Sequence, residues 1–222
     1  MTNPVLYYFA ARGRAELIRL ILAEAGVVYQ EHPIGHGTPP VNGLPTDFAE
    51  LKKLPLLPFG AVPVWQEPDG FVLAQSAAIA GYLGRKHGLY GNGPRQAAQC
   101  DQMLGAYDDV RTEFRKLYAV ASEGRPALRS QLVNEILPRW FGCLDRIVRA
   151  NRDGVGFVVG EAVSVADLAL WYLIESAQDN GFGAAVEAYP TLVAFAKRIA
   201  ARPRLAAYLT SPLRPVFAPL PS

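Results

Sequence analysis

With 222 residues, 50% of them hydrophobic and 19% charged, the chain can bury one large core or two small ones, which excludes a disordered segment. A formal net charge of +2, with no run of Lys or Arg, excludes the electrostatic signature of a nucleic-acid or anionic-membrane binder. Met1-Thr2-Asn3-Pro4 is not a basic segment leading into an apolar one, and no later stretch stays apolar for ~20 residues, so a soluble, cytoplasmic protein is expected.

Val5 and Leu6 run into Tyr7, Tyr8 and Phe9, a composition that favours a strand. Gly13 then permits a tight turn between Arg12 and Arg14, and Leu17, Ile18, Leu20, Ile21, Leu22 and Ala25 give a broad apolar face at helical spacing. A strand, turn and helix that bring a phenol beside two guanidiniums form a candidate anion site. Gly26 stops the helix, and Val27–His32 reads as a second strand. From Pro33 to Pro45, four prolines and three glycines exclude regular structure, and Asp47 then caps a short helix through Lys53. His32 and His36 are four apart, but Pro33, Gly35 and Gly37 argue against the helix that would make them a metal pair, and no metal site is expected.

Residues 62–74 read as a hairpin turning at Glu67-Pro68-Asp69-Gly70. Pro63 stands at the start of its first strand, where a cis bond would turn the Val62 backbone towards a ligand. Ser76 reads as the N-cap of a helix to about His87, which leaves Gln75 and Ser76 where free N–H groups and the helix dipole favour a carboxylate. Gly88–Pro94 is a linker, and helical segments follow near 95–121, 127–150, 164–178 and 190–201. Ser164 and Asp167 have capping-box spacing ahead of an apolar run, a structural role. Cys100 and Cys143 lie far apart in amphipathic segments with no CxxC pair, so reduced, packed thiols are expected. The order is β-α-β-α-β-β-α followed by helices alone: a mixed sheet domain, then a bundle.

Tyr8-Phe9-x-x-Arg12-Gly13-Arg14, Val62-Pro63, Gln75-Ser76, Leu89-Tyr90-Gly91 and the Ser164–Asp167 box stand in the order and spacing of the cytosolic glutathione transferases, and the sequence resembles that family over almost its whole length. It is most similar to the tyrosine-type classes, pi and sigma among them. The resemblance implies an α/β thioredoxin-like domain over 1–84, a linker over 85–94, an all-α domain over 95–222, and a homodimer. It also implies glutathione as co-substrate. Tyr8 would donate to the sulfur and Arg14 would add positive potential. Val62 would pair its backbone with the cysteinyl part, held by a cis Pro63, and Gln75 and Ser76 would hold the γ-glutamyl end. Asp109 would reach across the dimer to the glutamyl amine.

Two departures from the family pattern stand out. Residues 35–50 lack the Trp that the family uses to grip the glycine carboxylate, leaving Lys52 or its neighbour Lys53 as the cation, with Lys52 preferred. Ala61 stands where many relatives carry Gln. The chain has no Ser before Ser76 and no Cys before Cys100, so Tyr8 is the best partner for a sulfur in that part of the sequence.

The expected function is conjugation of glutathione to small apolar electrophiles, with detoxification as its setting. The acceptor pocket is expected between the domains, at Phe9, Ala10, Ala11, Phe114 and Tyr118. The alternatives are a glutathione-dependent isomerase of sigma type and a non-catalytic ligand-binding or structural member.

Overall fold

In the computed structural model, residues 3–35, 39–41 and 43–221 are described. The first strand, β1 (Val5–Phe9), lies inside a four-stranded sheet. On one side β2 (Gln30–Ile34) runs parallel to it, in the register Val5↔Gln30 to Phe9↔Ile34. On the other side β3 (Val64–Gln66) runs antiparallel, and β4 (Val72–Ala74) completes the hairpin read from the sequence. The second strand begins three residues later than the apolar pattern of 27–32 predicts and runs through Pro33. Its position follows from pairing with β1, and Pro33 is tolerated because β2 is an edge strand whose outer side needs no N–H.

Alternation along β1 separates two cores. Leu6 and Tyr8 enter the larger one, while Tyr7 joins Ile34, Leu51, Leu57, Val64 and Ala74 on the opposite face. There the Tyr7 hydroxyl donates to Gln66 Oε1 at 2.8 Å. His32 is buried beside Tyr7, its Nε2 3.0 Å from the Pro45 carbonyl, while His36 lies outside the described residues.

Helix α1 (Glu16–Ala25) is buried on nearly every side, beyond the one broad face its spacing predicts, because it is packed both by α3 (Ser76–Lys86) and by the second domain. Gly26 ends it in the left-handed conformation. The short helix α2 (Phe48–Leu51) is capped by Asp47, whose carboxylate accepts from Ala49 N and Glu50 N. Ser76 is the first helical residue of α3 and not its cap; Gln75 occupies the cap position.

The second domain is all helix. The segments α4 (Gly93–Ala119), α7 (Val165–Asp179) and α9 (Pro190–Ala200) lie close to the expected bounds. The single helix expected over 127–150 is divided into α5 (Arg125–Gln131), a π-helical stretch (Leu132–Ile136) and α6 (Leu137–Arg149). Pro138 explains the break, since it lacks the N–H that a continuous ladder needs. Two short helices, α8 (Gly183–Glu187) and α10 (Pro203–Leu209), fall outside the expected segments.

Asp167 is fully buried at the start of α7. Its carboxylate accepts from Val158 N at 2.7 Å, and from Ser164 N and Ser164 Oγ at 2.8 Å each. Burial pushes the carboxyl up to about 6 against the pull of these donors, so it is ionised at neutral pH.

Within the first domain the buried Arg19 forks onto Glu31 at 2.7 and 3.2 Å. Buried charge also joins the domains: the fully buried Glu16 accepts from Arg214 at 2.7 Å and from the Tyr208 hydroxyl at 3.0 Å. Arg214 also reaches Glu175 of α7 at 2.5 Å. Each charge taken out of water thus meets an opposite one, the condition under which burial is tolerated.

Candidate active site

Between β1 and α1 the chain folds into a turn of 3₁₀ helix at Gly13–Ala15. The N–H of Arg14 donates to the Tyr8 hydroxyl at 2.8 Å. A phenol that accepts one hydrogen bond still has its own proton to give. Among the described residues that proton has no acceptor, and Tyr8 lines a cavity of about 470 Å³.

Gly13 makes this approach possible, with φ +44° and a Cβ position only 2.5 Å from the Tyr8 oxygen. Gly13→Ala is expected to push the phenol out of place and lower turnover on the order of tenfold or more while the chain stays folded. Initial rates set beside circular dichroism check it. A second anchor comes from the helical domain, where the Tyr172 hydroxyl donates to the Gly13 carbonyl at 3.0 Å. Burial pushes the Tyr172 phenol up to about 12, so it keeps its proton for that bond.

Arg14 stands beside Tyr8 in the cavity wall. Its Nη1 lies 3.1 Å from Asp108 Oδ1 and 3.5 Å from Ser76 Oγ. Arg12 turns away, bonding Asp179 at 2.9 Å and the Pro215 carbonyl at 3.2 Å, which is a structural role.

Val62 and Pro63, joined by a cis bond, form the facing wall with Gln75 and Ser76. Gln75 holds φ +71° and ψ 115°, a conformation costing on the order of 1–3 kcal/mol for a residue with a side chain. Beside it, the N-terminus of α3 presents the N–H groups and dipole end that favour an anion. Phe9 and Tyr118 complete the apolar rim, and Phe59, 68% exposed, stands at its edge.

The other residues named from the sequence lie elsewhere. Ala10 and Ala11 belong to the turn after β1, where Ala11 N donates to Phe9 O, and do not line the cavity. Phe114 is buried, stacked on Phe182 with centroids 5.8 Å apart, and borders a smaller crevice behind. Lys52 lies over the Phe48 ring at 4.5 Å, and Phe48 meets the edge of Phe9, which brings the cation to the outer rim. Asp109 is exposed on α4, outside the cavity. Sequence reasoning missed Phe59, Ala74, Arg111 and Arg115 as cavity residues. The two arginines share a helix face with Tyr118 at spacings of four and three, a signal present in the sequence.

A cavity with a free phenolic proton, a guanidinium and a strained helix start can hold an anionic sulfur at one end and a carboxylate at the other. Comparison with known proteins gives the family. Models of the glutathione S-transferase N-terminal and C-terminal domains match residues 15–86 and 108–212. Glutathione S-transferase P 1 of Xenopus laevis is 33% identical over 216 residues, 96% of this chain and 95% of that one. Hematopoietic prostaglandin D synthase of Gallus gallus is 32% identical over 213 residues, 94% and 96% of the two chains. The Pi-class glutathione S-transferase structure of Onchocerca volvulus has the same fold, with a TM-score of 0.79 at 24% identity, covering 94% of this chain and 92% of that one. The chain belongs to the glutathione S-transferase family, with a thioredoxin-like first domain and a helical second, and is an enzyme that uses glutathione.

Proposed function

We propose that the protein conjugates glutathione to small apolar electrophiles, with Tyr8 donating its phenolic proton to the glutathione sulfur. The observation that carries this reading is the Tyr8 hydroxyl, held by Arg14 N at 2.8 Å with its own proton free toward the cavity. An ordinary cysteine thiol has a pKa of about 8.5, so little of it is thiolate at neutral pH. Lowering that pKa by about two units takes roughly 2.7 kcal/mol. One hydrogen bond to a charged group supplies about 1.5–3 kcal/mol of this, and the Arg14 cation and the helix end add to it. The thiol proton passes to solvent. The sulfur lone pair then forms a C–S bond to the electrophilic carbon, and on an aryl halide the halide departs with the electron pair of the broken bond.

In this reading Val62 pairs its backbone with the cysteinyl unit beside Pro63, Gln75 and Ser76 take the γ-glutamyl carboxylate at the α3 N-terminus, and Lys52 meets the glycine carboxylate. Phe9 and Tyr118 receive the electrophile, with Ala10, Ala11 and Phe114 as its outer shell. The exposed Asp109 completes the site across a homodimer. Among the described residues no helix is long and apolar enough to cross a membrane. The role we propose is cytoplasmic and detoxifying. We take domain bounds of 1–84 and 95–222 about the Gly/Pro linker.

The test is thiolate ultraviolet absorbance on mixing with glutathione at neutral pH, followed by conjugation of an aryl halide. Absorbance and turnover together support the reading; neither appearing would sink it in favour of a ligand-binding role. The relative named for prostaglandin D synthesis has nearly the identity of the transferase, so an endoperoxide assay run in parallel distinguishes isomerase from transferase.

A further inference from the structure

The cavity that holds Tyr8 is lined by Arg14, Arg111 and Arg115, and by no Asp or Glu. These cations are not equivalent. Arg14 is matched by Asp108 at 3.1 Å. Arg111 and Arg115 have no carboxylate at ion-pair distance among the described residues. They stand four apart on α4, hence on one face, two turns and one turn before Tyr118. Arg111 is held between two rings, its guanidinium carbon 5.6 Å from the Tyr107 centroid and 5.4 Å from that of Tyr172. Its Nε is buried without a hydrogen-bond partner. Arg115 is exposed at the mouth. Both also border the crevice behind, so they sit on the electrophile side, across from Val62, Gln75 and Ser76.

A half-buried guanidinium with a buried, unused Nε–H and no countercharge is costly unless a ligand supplies the charge. We infer that Arg111 and Arg115 form an anion-binding subsite for the acceptor, so that the preferred electrophiles carry a carboxylate or sulfonate on an otherwise apolar body. Arg111 offers a donor in a fixed place, and Arg115 draws the acid in from solvent. This rests on the glutathione-transfer reading above, and its test is built to fail separately.

The probes are 4-chloro-3,5-dinitrobenzoate and its methyl ester, which differ by one charge. Each kcat/KM at saturating glutathione is divided by the uncatalysed rate with glutathione, which removes their difference in intrinsic reactivity. The acid-to-ester ratio is expected to be about tenfold or more in the natural protein, the worth of a charge-assisted hydrogen bond. It is expected to fall toward one in Arg115→Gln and in Arg111→Gln, and to be largely kept in Arg115→Lys. A ratio near one in the natural protein, or one unmoved by either Gln substitution, overturns the inference.

If neither compound reacts faster than in buffer, it is the transfer reading that fails. Equilibrium dialysis of acid and ester with S-methylglutathione present then decides the subsite alone: tighter binding of the acid, lost in Arg115→Gln, sustains it, and equal binding refutes it. Arg115 is exposed, so that variant stays informative even where Arg111→Gln disturbs the Tyr107 and Tyr172 packing.

Discussion

Tyr8→Phe is expected to lower kcat for glutathione conjugation by roughly 10- to 100-fold, the equivalent of losing one hydrogen bond to a charged atom. The change removes the oxygen that accepts from Arg14 N at 2.8 Å as well as the proton offered to sulfur. Fold stability should change little, because the Arg14 N–H sits beside an open cavity where water can replace the phenol. Binding and chemistry separate in the measurement. The absorbance titration of enzyme-bound glutathione should move to higher pH, while the KM for glutathione, set by contacts at both ends of the tripeptide, shifts less. A variant with unchanged kcat and an unchanged titration would remove Tyr8 from the reaction.

The second large effect concerns stability. Asp167→Ala is expected to cost about 3 kcal/mol, because it strands three buried donors, Val158 N, Ser164 N and Ser164 Oγ, at roughly 1 kcal/mol or more each. The cost is not larger because removing a buried carboxylate also relieves its desolvation. Asp167→Asn keeps one acceptor oxygen and should cost about half as much. Urea titration at fixed protein concentration reads the difference, and a thermal melt should show a drop in Tm on the order of 10 °C for the alanine variant. Equal stability of Asp167→Ala and the natural chain would mean that desolvation cancels all three bonds.

The fold was legible wherever the determining chemistry is local. The aromatic run before Gly13, the turn at Glu67–Gly70 and the apolar spacing of α1, α4 and α7 each carry their own period or breaker. Where a partner decides, the sequence was silent. The bounds of β2 come from its parallel register with β1, and the π-helical stretch at Leu132–Ile136 leaves the apolar period of the long segment nearly intact. The same division holds in the cavity. Tyr8, Arg14, Val62, Pro63, Gln75 and Ser76 each stand at the end of an element and were readable as such, though only the sheet order β2-β1-β3-β4 brings them around one cavity. Arg111 and Arg115 went unnamed: their spacing puts them on one helix face with Tyr118, but charge on a helix does not say which domain that face meets.

The anchoring of the turn between β1 and α1 has a consequence for how this protein can be recombined. Gly13 is held by Tyr172, Arg12 by Asp179 and Pro215, and Glu16 by Arg214. Every one of those partners lies in the helical domain or in the segment that follows it, while the phenol that they steady lies in the first. A chimera that took its first domain from this chain and its second from a relative would inherit Tyr8 without the braces that aim it. The unit of inheritance for this active site is therefore a set of residues drawn from both halves, and a graft has to carry Tyr172, Asp179 and Arg214 along with the first domain.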